Sequence, residues 1–222
     1  MSKALRSGPP LLTDERTTML NLRPAAGRVV APLARSLLRL GVTPDMVTVA
    51  GTVGAVAGAF AFFPRGSFLL GTVVVTLSVL TDALDGAMAR MRGVSGSWGA
   101  FLDSTMDRIA DASIFSALVF WYAGDGDSTL LLGVSLFCLV AGVVTSYAKA
   151  RAEGLGMTAN VGIAERLERL ILVLAGTALA GFGLDVALPV ALWVLAAASA
   201  VTVGQRLVEV HRQATAGPAP AS

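Results

Sequence analysis

The chain has 222 residues, of which 55% are hydrophobic and only 14% charged, with a formal net charge of +2. A soluble domain of this length needs a polar shell that such a composition cannot supply, so an integral membrane protein is expected. The lone cysteine, Cys138, excludes an intrachain disulfide and sits in the apolar run LLLGVSLFCLVAGVV, where packing is its expected role.

The opening MSKALRSGPPLLTDER lacks the apolar core of a secretory signal. Residues 1–27 are expected to be a flexible extension, residues 28–212 a single membrane domain, and residues 213–222 (QATAGPAPAS) a disordered small-residue tail. The stretch RVVAPLARSLLRLGVTPD, Arg28 to Asp45, alternates basic and apolar positions at helical spacing. Arg28, Arg35 and Arg39 share one face, while Val29, Leu33, Leu37 and Leu40 lie toward the other. That pattern suits an amphipathic helix in the lipid headgroup region; a cap helix packed on the domain is the alternative. Thr43-Pro44-Asp45 breaks the chain after it.

Six candidate spans of about 20 apolar residues come next. They run from Met46 to Phe63, Phe68 to Arg90, Gly99 to Ala123, Thr129 to Ala150, Val161 to Ala180, and Val186 to Val208. The expected fold is therefore an all-α polytopic membrane protein, six transmembrane helices preceded by an amphipathic interfacial helix. Links such as Pro64–Ser67 and Gly124–Asp127 are short. If the helices alternate direction, every Lys and Arg except Arg65 falls on one face. The positive-inside rule makes that face cytoplasmic, with the N-terminus, in a multi-pass protein of the cell membrane. The basic excess thus reads as topology and implies no nucleic-acid partner.

Against this apolar background, TDALDGAMARMRGVSGSWGAFLDSTMDRIADAS (Thr81 to Ser113) is densely charged. Asp82 and Asp85 stand three apart at the end of the second span. Asp103 and Asp107 stand four apart at the start of the third. Each pair occupies one helical face, and the short Gly/Ser link at residues 93–97 makes the two helices antiparallel neighbours. Four converging carboxylates need positive charge among them. An all-oxygen set favours Mg²⁺, Mn²⁺ or Ca²⁺, whereas zinc would want His or Cys. Salt bridges to Arg90, Arg92 and Arg108 are the structural alternative. Gly86, Ala89 and Gly99, one turn from the acids, permit close approach of a helix or ligand.

Written out, the spacing is Asp82-x2-Asp85-Gly86-x2-Ala89-Arg90-x8-Gly99-x3-Asp103-x3-Asp107. This resembles the signature of the CDP-alcohol phosphatidyltransferases with every fixed position filled. The resemblance implies attack of an acceptor alcohol on the phosphatidyl phosphorus of a CDP-linked lipid, with CMP leaving. It also implies that Asp82, Asp85 and Asp103 hold two divalent ions (Mg²⁺, with Mn²⁺ an alternative), and that Asp107 both faces them and acts as general base. Gly86 and Arg90 would contact the nucleotide, as would Thr43, Pro44, Asp45 and Thr48 at the entry to the first span. In the loop after Arg90 the family often carries a threonine where this chain has Gly96. Ser95, Ser97 or a backbone amide would then take over that contact. Asp111, one turn beyond Asp107, is expected to bond within the bundle.

Further cations, Lys149, Arg151, Arg166, Arg169 and Arg206, suggest a second anion pocket for a phosphorylated acceptor; ordinary positive-inside flanking is the alternative. Their segments, YAKARAE, ERLERLI and QRL, are similar to those of the actinobacterial phosphatidylinositol phosphate synthases. That likeness implies CDP-diacylglycerol and inositol phosphate as substrates, with the phosphate on Lys149, Arg169 and Arg206. Phosphatidylglycerophosphate synthesis from glycerol 3-phosphate is the runner-up. An intramembrane prenyltransferase or a cation transporter fits less well, because the acids lie on consecutive helix ends. Relatives imply a homodimer.

Overall fold

The computed structural model describes residues 23–93 and 96–216, with side chains from Val30 onward. Most of the expected N-terminal extension and the tail beyond Ala216 lie outside these residues. All regular structure among them is helical: α1 (Arg23–Arg39), α2 (Pro44–Phe62), α3 (Phe68–Val79), α4 (Thr81–Arg92), α5 (Ser97–Ala123), α6 (Thr129–Glu153), α7 (Arg166–Gly181) and α8 (Ala187–Thr215), with a 3-10 turn at Phe63–Arg65.

Helices α3 and α4 stack end to end as one column, and the columns close a ring. Helix α2 packs on α3, α4 and α5; α5 on α6; α6 on α8; α8 on α7; and α7 returns to α3. Small residues let these backbones approach. A side chain on Gly58 would run into Val74 across the α2–α3 contact, and one on Gly181 would meet the backbone of Leu69. A buried 2.7 Å hydrogen bond between the Thr72 and Thr177 hydroxyls ties α3 to α7. Phe63, Phe68, Ile114, Leu118, Cys138, Val173, Leu192 and Leu195 fill the centre, while Leu70, Leu77, Phe120 and Ile171 point outward. An apolar exterior over a packed interior suits lipid as solvent.

Four columns are long and apolar enough to cross a membrane: Pro44–Arg65, Phe68–Arg92, Thr129–Glu153 and Ala187–Thr215. The third and fifth expected spans are not among them, for two different reasons. Helix α5 has 27 residues, but its first half carries Asp103, Asp107, Arg108 and Asp111. Helix α7 has only 16 residues, a length of about 24 Å against a hydrocarbon core of about 30 Å. It starts at Arg166 rather than at Val161, because residues 161–165 are drawn off into a non-helical strap.

Two other expectations shift. The second column is interrupted at Leu80, where the Thr81 hydroxyl donates to the Ser78 carbonyl at 2.6 Å and that of Ser78 to Val74. Side chains that bond the preceding turn's carbonyls bend helices in this way. At the C-terminus α8 runs three residues past the expected boundary, and Gln213 exchanges hydrogen bonds with the Thr158 backbone. Helix α1 lays Ala34, Leu37 and Leu38 against Val47 and Met88, while Leu33 and Leu40 stay exposed. So the face toward the domain is narrower than the apolar stripe read from the sequence.

The start of α2, the α4–α5 turn, the α6–α7 strap and the end of α8 gather at one end of the ring. A large groove lies away from it, between the first halves of α6 and α8, and is apolar (Leu130, Val134, Phe137, Trp193).

Candidate active site

The turn between α4 and α5 does what its glycines suggest. Gly93 takes a left-handed φ of 66° to cap α4, and α5 then begins at Ser97. Asp82 and Asp85 on α4 thereby face Asp103, Asp107 and Asp111 on α5. Asp85 is the most enclosed of these, 6% exposed, and accepts a 2.5 Å hydrogen bond from the Thr48 hydroxyl on α2. Asp103 is exposed and near enough to press its charge on Asp82, Asp85 and Asp107.

The cation among these acids is Arg166, from the first turn of α7. Its Nη2 lies 2.8 Å from Asp107 Oδ1 and 3.3 Å from Asp82 Oδ2, and its Nε lies 3.4 Å from Asp111 Oδ1. Of the arginines expected as structural partners, Arg108 approaches Asp107 at 3.6 Å, whereas Arg90 and Arg92 are exposed. Arg169 Nη2 reaches Asp111 Oδ2 at 3.3 Å and its Nη1 donates to the Ala164 carbonyl.

Among the described residues, no three acidic, histidine or cysteine side chains close into a cage around one ion. The donor set nevertheless fits a hard divalent cation. It consists only of carboxylates, and the space between Asp82 and Asp107 already accommodates a positive guanidinium. Asp82, Asp85, Asp103 and Asp107 are the side chains that could hold such an ion.

The other expected residues distribute unevenly. Thr43 caps α2, its hydroxyl accepting from the Met46 amide, with Pro44 in the first turn. Asp45 accepts from Trp98 Nε1 at 3.0 Å, so the entry to α2 is pinned to the start of α5. Arg90 folds back over Gly86, where a side chain would touch its guanidinium. Gly96 is exposed and extended; Ser95 falls outside the described residues. Lys149 is half-buried and Arg151 exposed on the last turns of α6.

Arg206 holds the strap. It donates to the Thr145 carbonyl at 2.6 Å and the Val161 carbonyl at 3.0 Å, and pairs with Glu165. One turn earlier on α8, the buried Thr202 hydroxyl accepts from the Ile163 and Ala164 amides. Gly162, at φ 149°, lies against Thr202 with no room for a side chain. These contacts set where α7 begins and hence where Arg166 and Arg169 point.

Residues 41–204 match the family model for CDP-alcohol phosphatidyltransferases. The chain belongs to that family. This phosphatidyltransferase is 50% identical over 193 residues to the phosphatidylinositol phosphate synthase of Streptomyces avermitilis, covering 84% of this chain and 79% of the relative. It is also 50% identical over 191 residues to that of Mycobacterium marinum, covering 85% and 82%. Among solved structures it superposes on the Mycobacterium tuberculosis phosphatidylinositol phosphate synthase PgsA1 with CDP-DAG bound. There the TM-score is 0.80 at 47% identity, over 82% of this chain and 94% of that one. The same enzyme in complex with manganese and citrate gives a TM-score of 0.77 at 47% identity, over 82% and 88%. All motif positions of the phosphatidyltransferase, Asp82 through Asp107, fall inside the matched segment; Arg206 lies just beyond it.

Asp111 is expected from the sequence to bond within the bundle, and it does so to Arg166 and Arg169; its i+4 spacing from Asp107 puts it on the same face as the site. One contributor is not evident from the sequence alone. Thr202 carries no signal beyond standing one turn from Arg206 on α8.

Proposed function

We propose that this phosphatidyltransferase is a phosphatidylinositol phosphate synthase, transferring the phosphatidyl group of CDP-diacylglycerol to inositol phosphate with release of CMP. The observation that carries the reading is the direct meeting of the α4–α5 carboxylates with Arg166 and Arg169. An acidic face beside the half-buried Arg166 and the buried Arg169 suits one substrate held through metal and another held through its own phosphate. The relatives' names give the same acceptor.

In the reaction an inositol phosphate hydroxyl attacks the phosphorus that bears the diacylglycerol, and the bond from that phosphorus to the CMP oxygen breaks. Asp107 accepts the hydroxyl proton, and Arg166 holds its Oδ1 where no ion occupies the space between Asp82 and Asp107. Thr48 holds Asp85 in place through the buried hydroxyl bond. Asp82, Asp85, Asp103 and Asp107 would hold two divalent ions, Mg²⁺ or Mn²⁺, which would supply positive charge to neutralise the diphosphate. Thr43, Pro44, Asp45, Thr48, Gly86, Arg90 and Gly96 line the nucleotide side, and Lys149, Arg151, Arg169 and Arg206 complete the acceptor side.

The same reading makes all six columns membrane-crossing, with α1 at the headgroups, the site and N-terminus cytoplasmic, and the protein a homodimer. Purified protein given CDP-diacylglycerol and, separately, inositol phosphate, glycerol 3-phosphate and free inositol tests the acceptor. Turnover with inositol phosphate is expected; exclusive turnover with glycerol 3-phosphate overturns it.

A further inference from the structure

Asp111 is a buried carboxylate outside the family motif, 8% exposed, and its two oxygens serve two different arginines. Oδ1 takes Arg166 Nε at 3.4 Å and Oδ2 takes Arg169 Nη2 at 3.3 Å. The arginines stand three apart on α7, which puts both on one helical face, but their like charges repel, so holding the two guanidiniums close needs an anion between them. Beyond Asp111, their surroundings differ. Arg166 continues to Asp82 and Asp107. Arg169 is packed on α6 at Gly142, where an added side chain would meet Nε at 3.5 Å. Its Nε is buried and has no hydrogen-bond partner among the described residues. Arg108, Asp111, Gly142 and Arg169 line a small cleft at this point. An unpaired donor on a buried guanidinium is costly unless something accepts from it.

We propose that Asp111 is a positioning residue for the acceptor: by binding Arg166 and Arg169 through separate oxygens, it fixes the phosphate-binding Arg169 at a set distance from the base Asp107. Identifying Arg169 with the acceptor's phosphate rests on the function proposed above. Both Asp111 oxygens are taken by arginines. It acts through the arginines, and because Arg169 serves the acceptor while Arg166 keeps its bonds to Asp82 and Asp107, the larger effect falls on the acceptor. Asp111→Asn keeps the shape, removes the charge, and turns one acceptor oxygen into a donor facing a guanidinium.

The test is steady-state kinetics of purified Asp111→Asn with each substrate varied, together with inhibition by inorganic phosphate as a probe of the anion pocket. Misplacing a binding group by an ångström is worth up to about 100-fold, so the acceptor KM and the phosphate Ki are expected to rise about 10- to 100-fold. The KM for CDP-diacylglycerol should stay within about twofold, a split that a general loss of structure would not produce. Asp111→Glu, which keeps the charge but lengthens the arm, should fall between wild type and Asp111→Asn. It alone decides the matter if Asp111→Asn does not fold. Unchanged acceptor KM and phosphate Ki in a folded variant, or equal loss for both substrates, overturns the proposal. Wild-type enzyme that turns over only glycerol 3-phosphate overturns the function proposed above instead, and the phosphate Ki still reads Asp111.

Discussion

Thr48, Asp85 and Asp107 illustrate how single side chains at this site are committed. The Thr48 hydroxyl has one proton to share between the Pro44 carbonyl at 3.2 Å and Asp85, and the shorter 2.5 Å contact to Asp85 locks one carboxylate of the set to α2. Asp107 is less enclosed and pairs with Arg166 and Arg108, so it can exchange a partner for a substrate hydroxyl. Asp107→Asn preserves size and should leave a folded protein that still binds CDP-diacylglycerol. Its turnover should fall about 100-fold or more, the usual contribution of a positioned general base. Unchanged turnover in a radiolabelled-acceptor assay would remove Asp107 from the reaction. The acids together make a second expectation. Stripping the enzyme with EDTA should abolish turnover, and Mg²⁺ or Mn²⁺ should restore it, because four neighbouring carboxylates are a donor set suited to hard cations. Full-rate product from stripped enzyme with no ion returned would dismiss the metal assignment.

At the scale of elements, the most informative piece is the one that is not a helix. Residues 161–165 are apolar enough to read as the start of a span, and locally only Gly162 argues against a helix there. The helix is stopped by tertiary contacts: Thr202 accepts from two of the strap's amides and Arg206 takes a carbonyl, both from far along the chain on α8. The interruption at Leu80 is similarly hidden, since neither glycine nor proline marks it and hydroxyl bonds from Ser78 and Thr81 do the bending. The acidic faces of α4 and α5 are legible in the sequence because i,i+3 and i,i+4 spacing and a short glycine link are local facts. Arg166's place among the acids depends on the strap and is legible only as a charge near a helix start. Thr202→Val therefore reaches the site without touching it. Two backbone amides lose their acceptor, which costs about 1–3 kcal/mol if they stay unpaired. A lower thermal midpoint in detergent and a higher acceptor KM are expected together, with Thr202→Ser restoring both. A stability loss with the acceptor KM unmoved would mean that the strap does not govern the arginines.

For the molecule as a whole, the open physical question is whether α5 and α7 cross the bilayer beside the four more apolar columns. Helix α5 spans about 40 Å at 1.5 Å per residue, and its charges are confined to the end where Arg166 and Arg169 neutralise them; from Ala112 to Ala123 it carries none. Helix α7 is short, but the strap before it extends its path, and its buried face packs between α3 and α8. Burial of charge inside the ring rather than against lipid is how membrane proteins tolerate it. Crossing number has a clean readout, because each helix that crosses delivers the next link to the opposite side of the membrane. Cys138 is buried, so a Cys138→Ala background permits single-cysteine labelling at the exposed positions Arg65, Glu153 and Asp185. Between Arg65 and Glu153 lie the α3–α4 column, α5 and α6; between Glu153 and Asp185 lies α7. With every column crossing, a membrane-impermeant maleimide should label Arg65→Cys and Asp185→Cys in intact cells, and Glu153→Cys only in inverted vesicles. If α5 does not cross, Arg65→Cys and Glu153→Cys label from the same side. If α7 does not cross, Glu153→Cys and Asp185→Cys label together. The reversed pattern, with Glu153→Cys labelled in intact cells, would place the carboxylates and arginines outside, away from any cytoplasmic nucleotide-linked lipid.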